Sequence, residues 1–181
     1  MLGGCGSVPK KVDIDYSKLS AEELLPLAEK GNAEAQVYLG VTYELGKGVP
    51  QDYQLAVKWY KRVAEQGHAN AQYYLGGMYL SGQGVPQDYQ LAVKWYRRSA
   101  QQGNAPAQLG LGFRYASGKG VPQDFVLAYK WMHLAAAQGF KIAGKGRDDL
   151  AKNMITSQVQ KAQRLAREFK PNKEKPKKES Q

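Results

Sequence analysis

Gly48-Val49-Pro50-Gln51-Asp52 returns as Gly84-Val85-Pro86-Gln87-Asp88 and again as Gly120-Val121-Pro122-Gln123-Asp124, an interval of 36 residues each time. Trp59, Trp95 and Trp131 keep that interval, as do Gly31, Gly67, Gly103 and Gly139. Residues 31–66 match residues 67–102 at 25 of 36 positions, and 67–102 match 103–138 at 20. Self-similarity at this period marks a stacked array whose units cannot bury their apolar faces alone.

Each unit reads as two helices joined by the quoted segment. The first spans about 33–45, where Ala35, Leu39, Gly40 and Tyr43 fall at helical intervals on one face. Asn32, His68 and Asn104 precede these helices, where a short polar side chain can accept an orphan backbone N–H. Gly46, Lys47 and Gly48 stop the helix, Val49-Pro50-Gln51 makes the turn, and Asp52 is placed to cap the second helix. That helix offers Ala56, Trp59, Tyr60 and Ala64 to the core and ends at Gln66-Gly67. Small residues let backbones approach, and the aromatic rings fill the space between units.

The ends read as caps and tails. Residues 1–18 are expected to form a flexible tether, and 19–30 a capping helix opened by the Ser20-Ala21-Glu22-Glu23 capping box. Pro26 should remove a hydrogen bond from that helix or kink it. Three full units follow at 31–66, 67–102 and 103–138, then a decayed unit with a closing helix over 139–170. There, helices are expected over 147–153 and 157–169, the second opened by a Ser157/Gln160 capping box. The basic segment 171–181 has little to bury and should be disordered.

The net charge of +10 invites a nucleic-acid reading, but its distribution argues against one. Residues 1–30 carry −1, residues 31–140 carry +4 and residues 141–181 carry +7. A nucleic-acid module would concentrate its charge on a structured face, so no nucleic-acid partner is expected. No window supplies the roughly 18 consecutive apolar residues of a membrane span.

Ala71-Gln72, Leu75-Gly76, Met78-Tyr79, Gly82, Gly84-Val85, Asp88, Ala92, Trp95-Tyr96 and Ala100 resemble the Sel-one-like repeat family, relatives of the tetratricopeptide solenoids. The resemblance covers 31–138 nearly without interruption, and 158–168 resembles the family's terminal helix. It implies an all-α, right-handed α/α superhelix acting as an adaptor for protein complexes. The cysteine-rich branch carries a disulfide in each repeat; with Cys5 as its single cysteine, this chain lacks that pattern. Some relatives in that branch have been linked to weak β-lactam binding or hydrolysis, which keeps an enzyme as the alternative reading.

His68 aligns with Asn32 and Asn104 and is expected to cap; His133 aligns with Lys61 and Arg97 and is expected on a polar face. Neither has companions at metal-ligand spacing, so no metal or cofactor is expected. Gly46-Lys47-Gly48 follows no strand and lacks the Gly-Lys-Ser/Thr ending of a phosphate loop. Asp52, Asp88 and Asp124 take one cap position in successive units, too dispersed for paired-carboxylate catalysis. Lys58, Lys94 and Lys130, with Lys61/Arg97 and Arg62/Arg98, form a basic ladder on the second helices. Its expected role is a solvated face whose stems cover the tryptophans; a glycan or lipid surface is the rival reading.

Leu2-Gly3-Gly4-Cys5 resembles a bacterial lipobox, with Gly6-Ser7-Val8-Pro9-Lys10-Lys11 as a tether after a lipidated Cys5. The apolar segment that should precede it is absent after Met1. An upstream signal segment would make the chain a periplasmic or envelope lipoprotein, with Cys5 as its membrane attachment. Otherwise Cys5 is an incidental thiol and the location cytoplasmic.

The functional expectation is a non-enzymatic scaffold that binds a protein or peptide. By the resemblance to tetratricopeptide superhelices, the first helix of each unit lines a concave groove. The groove stripe is then Glu34, Val37, Val41 and Glu44 in the first unit. Asn70, Tyr73, Gly77 and Leu80 follow in the second, and Pro106, Leu109, Phe113 and Ala116 in the third. Seven of these twelve are sizeable apolar residues or proline, a heavy load for a face open to water. They vary between units while the packing positions repeat. Val37, Val41, Glu44, Tyr73, Gly77, Leu80, Leu109 and Phe113 are the expected partner contacts.

Overall fold

A computed structural model describes residues 14–172. Among these residues there are nine α-helices, one 3₁₀ turn at Tyr16–Lys18 and no strand. The helices are α1 Ala21–Glu29, α2 Ala33–Leu45, α3 Tyr53–Glu65, α4 Ala69–Ser81, α5 Tyr89–Gln101, α6 Ala105–Ser117, α7 Phe125–Ala137, α8 Lys141–Ala151 and α9 Thr156–Arg167. Each packs on its successor up to α8: α2 on α3, α4 on α5 and α6 on α7 form the hairpins, while α3 on α4 and α5 on α6 join them. The result is an all-α repeat solenoid of helix-turn-helix units.

The caps act as the sequence predicts. Asn32, Asn104, Asp52, Asp88 and Asp124 each accept a backbone N–H of the first helical turn, and Gly46, Gly82 and Gly118 end α2, α4 and α6 in the left-handed conformation. His68 caps α4 through Nδ1 at 3.5 Å, while its Nε2 meets Glu34 Oε1 of the preceding unit at 3.1 Å. The quoted glutamine does more than turn the chain. Gln51, Gln87 and Gln123 donate their amides to the carbonyls of Glu44, Leu80 and Ala116, which the helix ends leave without partners.

A second glutamine series lies in the core. Gln36, Gln72 and Gln108, each at most 1% exposed, donate to the carbonyls of Ala28, Ala64 and Ala100 at the end of the preceding helix. Gln102 and Gln138 then donate to the side-chain oxygens of Gln72 and Gln108. Buried polar groups stitched in this way fix the stagger between units, because any slip would leave an amide unsatisfied.

The units also touch directly through backbone. A Cβ built on Gly84 would collide with the Tyr53 carbonyl, and one on Gly120 with the Tyr89 carbonyl, each in the preceding unit. Both glycines sit at positive φ, 71° and 82°. The Gly-Val-Pro-Gln-Asp glycine is therefore both a turn residue and a stacking contact.

α1 runs through Pro26 to Glu29 as expected, with Pro26, which has no N–H, removing one hydrogen bond from it. The ends differ from expectation in three respects. Tyr16 is not part of a free tether: its ring stacks on Tyr38 and its hydroxyl accepts from the Asn32 amide. α8 begins at Lys141 rather than at Arg147, because Ala143 is fully buried and anchors its first turn. α9 opens at Thr156, where the Gln158 side chain accepts the Ile155 N–H, so Ser157 lies inside the helix and caps nothing. α8 and α9 each pack on α7. Past α9, Phe169 meets the Trp131 ring edge-on at 5.5 Å, and the Asn172 N–H donates to Gln101 O at 2.8 Å. Pro171 and Asn172 are thus docked, while the rest of the expected tail, 173–181, and Cys5 lie outside the described residues.

Candidate functional site: the A-helix face

α2, α4 and α6, the first or A helices of the three units, carry the expected contact stripe. Val41, Glu44, Tyr73, Gly77, Leu80 and Leu109 are half-buried along it, and Phe113 is 40% exposed. Val37 does not belong with them. At 3% exposure it is packed into the core cluster of Tyr60, Val63 and Leu75, and it has almost no surface left for a partner. The i, i+3, i+7 stripe is wider than the open strip of the helix at its N-terminal end.

The stacking of tyrosines beside the stripe went unread in the sequence, where Tyr60 was expected only as core and Tyr74 was not singled out. Tyr60 reaches out from α3 and stacks on Tyr74 of the next unit, with ring centroids 5.1 Å apart; Tyr74 meets Tyr73, and Tyr73 stacks on Tyr96 at 5.9 Å. Together they form an aromatic floor running across two units. Burial pushes the Tyr60, Tyr74 and Tyr96 phenols above their ordinary value, Tyr96 to about 12. The Glu44 carboxylate accepts the Tyr60 hydroxyl at 2.6 Å and adds to the rise at Tyr60. One signal could have found this floor: tyrosine recurs at 38 and 74, then gives way to Gly110 in the third unit.

At the far end of the stripe the face opens into a cleft of about 610 Å³. Phe113 and Ala116 of α6, Phe125 and Met132 at α7, and Gly146 and Leu150 of α8 line it, together with the polar Asp149 and Asn153. Such a lining favours an apolar side chain with polar groups at its edge.

The other candidates go elsewhere. The upper rungs of the basic ladder lie over aromatic rings: Arg98 over Trp95 at 4.9 Å, and Lys130 over Trp131 at 4.5 Å and Phe169 at 5.4 Å. Arg97 donates to the Tyr115 hydroxyl at 3.0 Å, while Lys58 and Lys94 remain exposed. Burial holds Lys130 below the usual lysine value. His133 is not on a solvated face: it is half-buried against the Tyr129 ring at 6.0 Å, and its Nδ1 is enclosed without a partner among the described residues. Burial, then the nearby Arg147 and Arg167 charges, hold it below the usual histidine value. Its helix position matches Lys61, but α8 and α9 close over α7 and cover it. Among the described residues no three His, Cys, Asp or Glu side chains gather as a metal-holding group, and no helix is long and apolar enough to cross a membrane.

The Sel1 repeat family model matches residues 33–68, 69–104 and 105–140. Among solved structures, the chain is similar to a Sel1 repeat protein from Oxalobacter formigenes, at 41% identity and a TM-score of 0.64, covering 71% of this chain and 96% of that one. It is also similar to c5321, a protective antigen of uropathogenic Escherichia coli strains displaying an SLR fold, at 30% identity and a TM-score of 0.55, covering 82% of this chain and 40% of that one. No curated protein matches the chain. With three matched units on consecutive helix pairs, the chain belongs to the Sel1 repeat family, whose members generally serve as protein-interaction scaffolds.

Proposed function

We propose that this protein binds an extended or helical peptide segment of a partner along its A-helix face. The observation that carries the reading is Phe113, an aromatic side chain 40% exposed at the mouth of an apolar cleft of about 610 Å³. An exposed phenylalanine beside unfilled apolar space is stabilised when a partner side chain covers it. Val41, Tyr73, Leu80 and Leu109 extend the surface back along the solenoid, which suits a ligand with several spaced anchors.

The test is selection of peptides from a displayed random library on the purified protein, with a Tyr73→Ala/Phe113→Ala double variant as counter-selector. Peptides that carry spaced apolar anchors and discriminate the two proteins are the expected result. Selected peptides that bind both proteins equally would move the site away from this face. The Leu2-Gly3-Gly4-Cys5 pattern supports an envelope setting. Cys5→Ser in the gene with its own upstream codons should then release detergent-phase protein into the aqueous fraction.

A further inference from the structure

The cleft at the end of the A-helix face lies where two rings are missing. In the first unit, Tyr60 is fully buried and stacks on Tyr74 of the next unit, with ring centroids 5.1 Å apart. Two periods on, Met132 stands in the place of Tyr60 and Gly146 in that of Tyr74. A Cβ on Gly146 would stand 3.1 Å from the Met132 sulfur, so the thioether rests against the bare backbone of α8. Both residues line the cleft of about 610 Å³. A pair of phenol rings has been exchanged there for a thioether and a hydrogen atom.

The lining is not wholly apolar. Among the described residues, Asp149 is the one charged group that lines the cleft, and Asn153, four residues on, is the one neutral polar side chain. The earlier units carry Val41, Gly77 and Phe113 at the register of Asp149, so the carboxylate is particular to the last rung. Its bond to Lys152 at 2.6 Å holds the carboxyl below the usual carboxylate range, and it is ionised at neutral pH. The side chains of that pair are 73% and 71% exposed, and an ion pair so open to water contributes little. Lys152 can therefore turn to solvent at small cost and leave Asp149 to another cation.

A wholly apolar occupant would strip water from Asp149 with nothing in exchange, and a wholly polar one would leave Phe113 and Leu150 uncovered. A flexible methylene stem ending in a cation meets both demands. The Phe113 and Phe125 rings offer that cation the kind of contact that Trp95 gives Arg98 and Trp131 gives Lys130. We infer that the cleft between α6, α7 and α8 takes a long basic side chain of the bound partner, arginine or lysine, with its stem against Phe113, Met132 and Leu150 and its charge on Asp149 and the Asn153 amide oxygen. This rests on the A-helix-face reading above and adds the chemical class of the anchor at its last rung. The attraction is local, because the chain as a whole carries +10 and repels a cation that stays outside the cleft.

Four probe peptides test it: acetyl-Ala-Leu-Ala-Xaa-Ala-amide with Arg, Lys, norleucine or Glu as Xaa. Norleucine keeps the stem of lysine and drops its charge. Each peptide is titrated into the full chain labelled at its methionine and leucine methyl groups, with the Met132 and Leu150 signals assigned by Met132→Leu and Leu150→Met. The Arg and Lys peptides should move both signals, the norleucine peptide should bind about fivefold more weakly, and the Glu peptide should bind weakest. Asp149→Asn should bring the Arg and norleucine peptides together, while Lys152→Ala, which frees Asp149, should tighten the Arg peptide about twofold or more. Neither change should alter the helical spectrum, since both side chains lie in water. Norleucine binding as well as arginine, or an arginine preference that survives Asp149→Asn, overturns the basic anchor and leaves the face as an apolar docking surface. A preference for Glu overturns it as well and points to Lys152 as the contact. Met132 and Leu150 signals that no peptide moves overturn both readings.

Discussion

Tyr60, whose side chain is fully buried between α2, α3 and α4, donates its hydroxyl to the Glu44 carboxylate at 2.6 Å. The bond ties the end of α2 to the middle of α3 while the Tyr60 ring supports Tyr74 in the next unit. Removing the acceptor leaves a buried hydroxyl unsatisfied, whereas removing the hydroxyl leaves a half-exposed carboxylate that water can solvate. Glu44→Ala should therefore cost about 1–3 kcal/mol in denaturant unfolding, and Tyr60→Phe about 1 kcal/mol or less. Equal losses from the two changes would mean that the bond, rather than the burial of the phenol, dominates.

The same phenols set an alkaline limit. Tyr60, Tyr74 and Tyr96 all have folded values above the ordinary 10.0, with burial as the leading cause in each. Above pH 10 the unfolded chain therefore releases protons that the folded chain retains, and stability falls as pH rises. Tyr96 alone, pushed up to about 12, should remove roughly 2 kcal/mol between pH 10 and pH 12. Denaturant midpoints should hold between pH 7 and 9 and fall steeply above 10, with less fall in Tyr96→Phe. A flat profile to pH 12 would contradict the burial of this cluster.

Gly48 and Gly84 offer a controlled comparison, because both sit at φ +71° in successive copies of the same turn. A Cβ on Gly48 meets nothing within 4 Å, while one on Gly84 collides with the Tyr53 carbonyl. Gly48→Ala should cost about 1–2 kcal/mol for the left-handed backbone alone. Gly84→Ala adds the clash and should cost at least about 1 kcal/mol more, since a carbonyl in the neighbouring unit must move. Thermal melts of the two variants give the difference directly, and matched melting temperatures would remove the stacking role of this turn.

Most of the solenoid was legible because the period exposes what each position does in every unit. The caps at Asn32, Asp52 and their equivalents needed only local backbone chemistry, which a short sequence window contains. What a window does not contain is which neighbour covers a residue. Val37 sits at a groove register yet is buried by α3, and His133 sits at a polar register yet is enclosed as α8 and α9 fold over α7. The tryptophans divide in the same way: Trp95 is 9% exposed and roofed by Arg98, whereas Trp59 is only half-buried. Trp95→Ala should cost roughly 3–5 kcal/mol and Trp59→Ala distinctly less. Chemical denaturation that ranks Trp59 first would refute the packing order along the stack.

The A-helix face was expected from the resemblance to tetratricopeptide superhelices, with the variation of its residues between units in support, and its depth came from packing that the sequence does not display. Phe113 shows the difference. In the first and second units its place is taken by Val41 and Gly77, so periodicity marks it as free to vary. It is 40% exposed in a cleft that it lines together with Phe125, Met132 and Leu150, drawn from α7 and α8. For peptides selected on this face, Phe113→Ala and Tyr73→Ala should each weaken binding by roughly 1–3 kcal/mol. Phe113→Ala should leave folding nearly intact, since the ring is already substantially in water, while Tyr73→Ala should show a small loss from its contacts with Tyr74 and Tyr96. Calorimetric titration of both variants, alongside a Lys94→Gln/Arg97→Gln/Arg98→Gln triple variant, separates the two faces of the solenoid. Affinity that survives both aromatic changes and disappears in the triple variant would place the partner on the basic ladder of α5 instead.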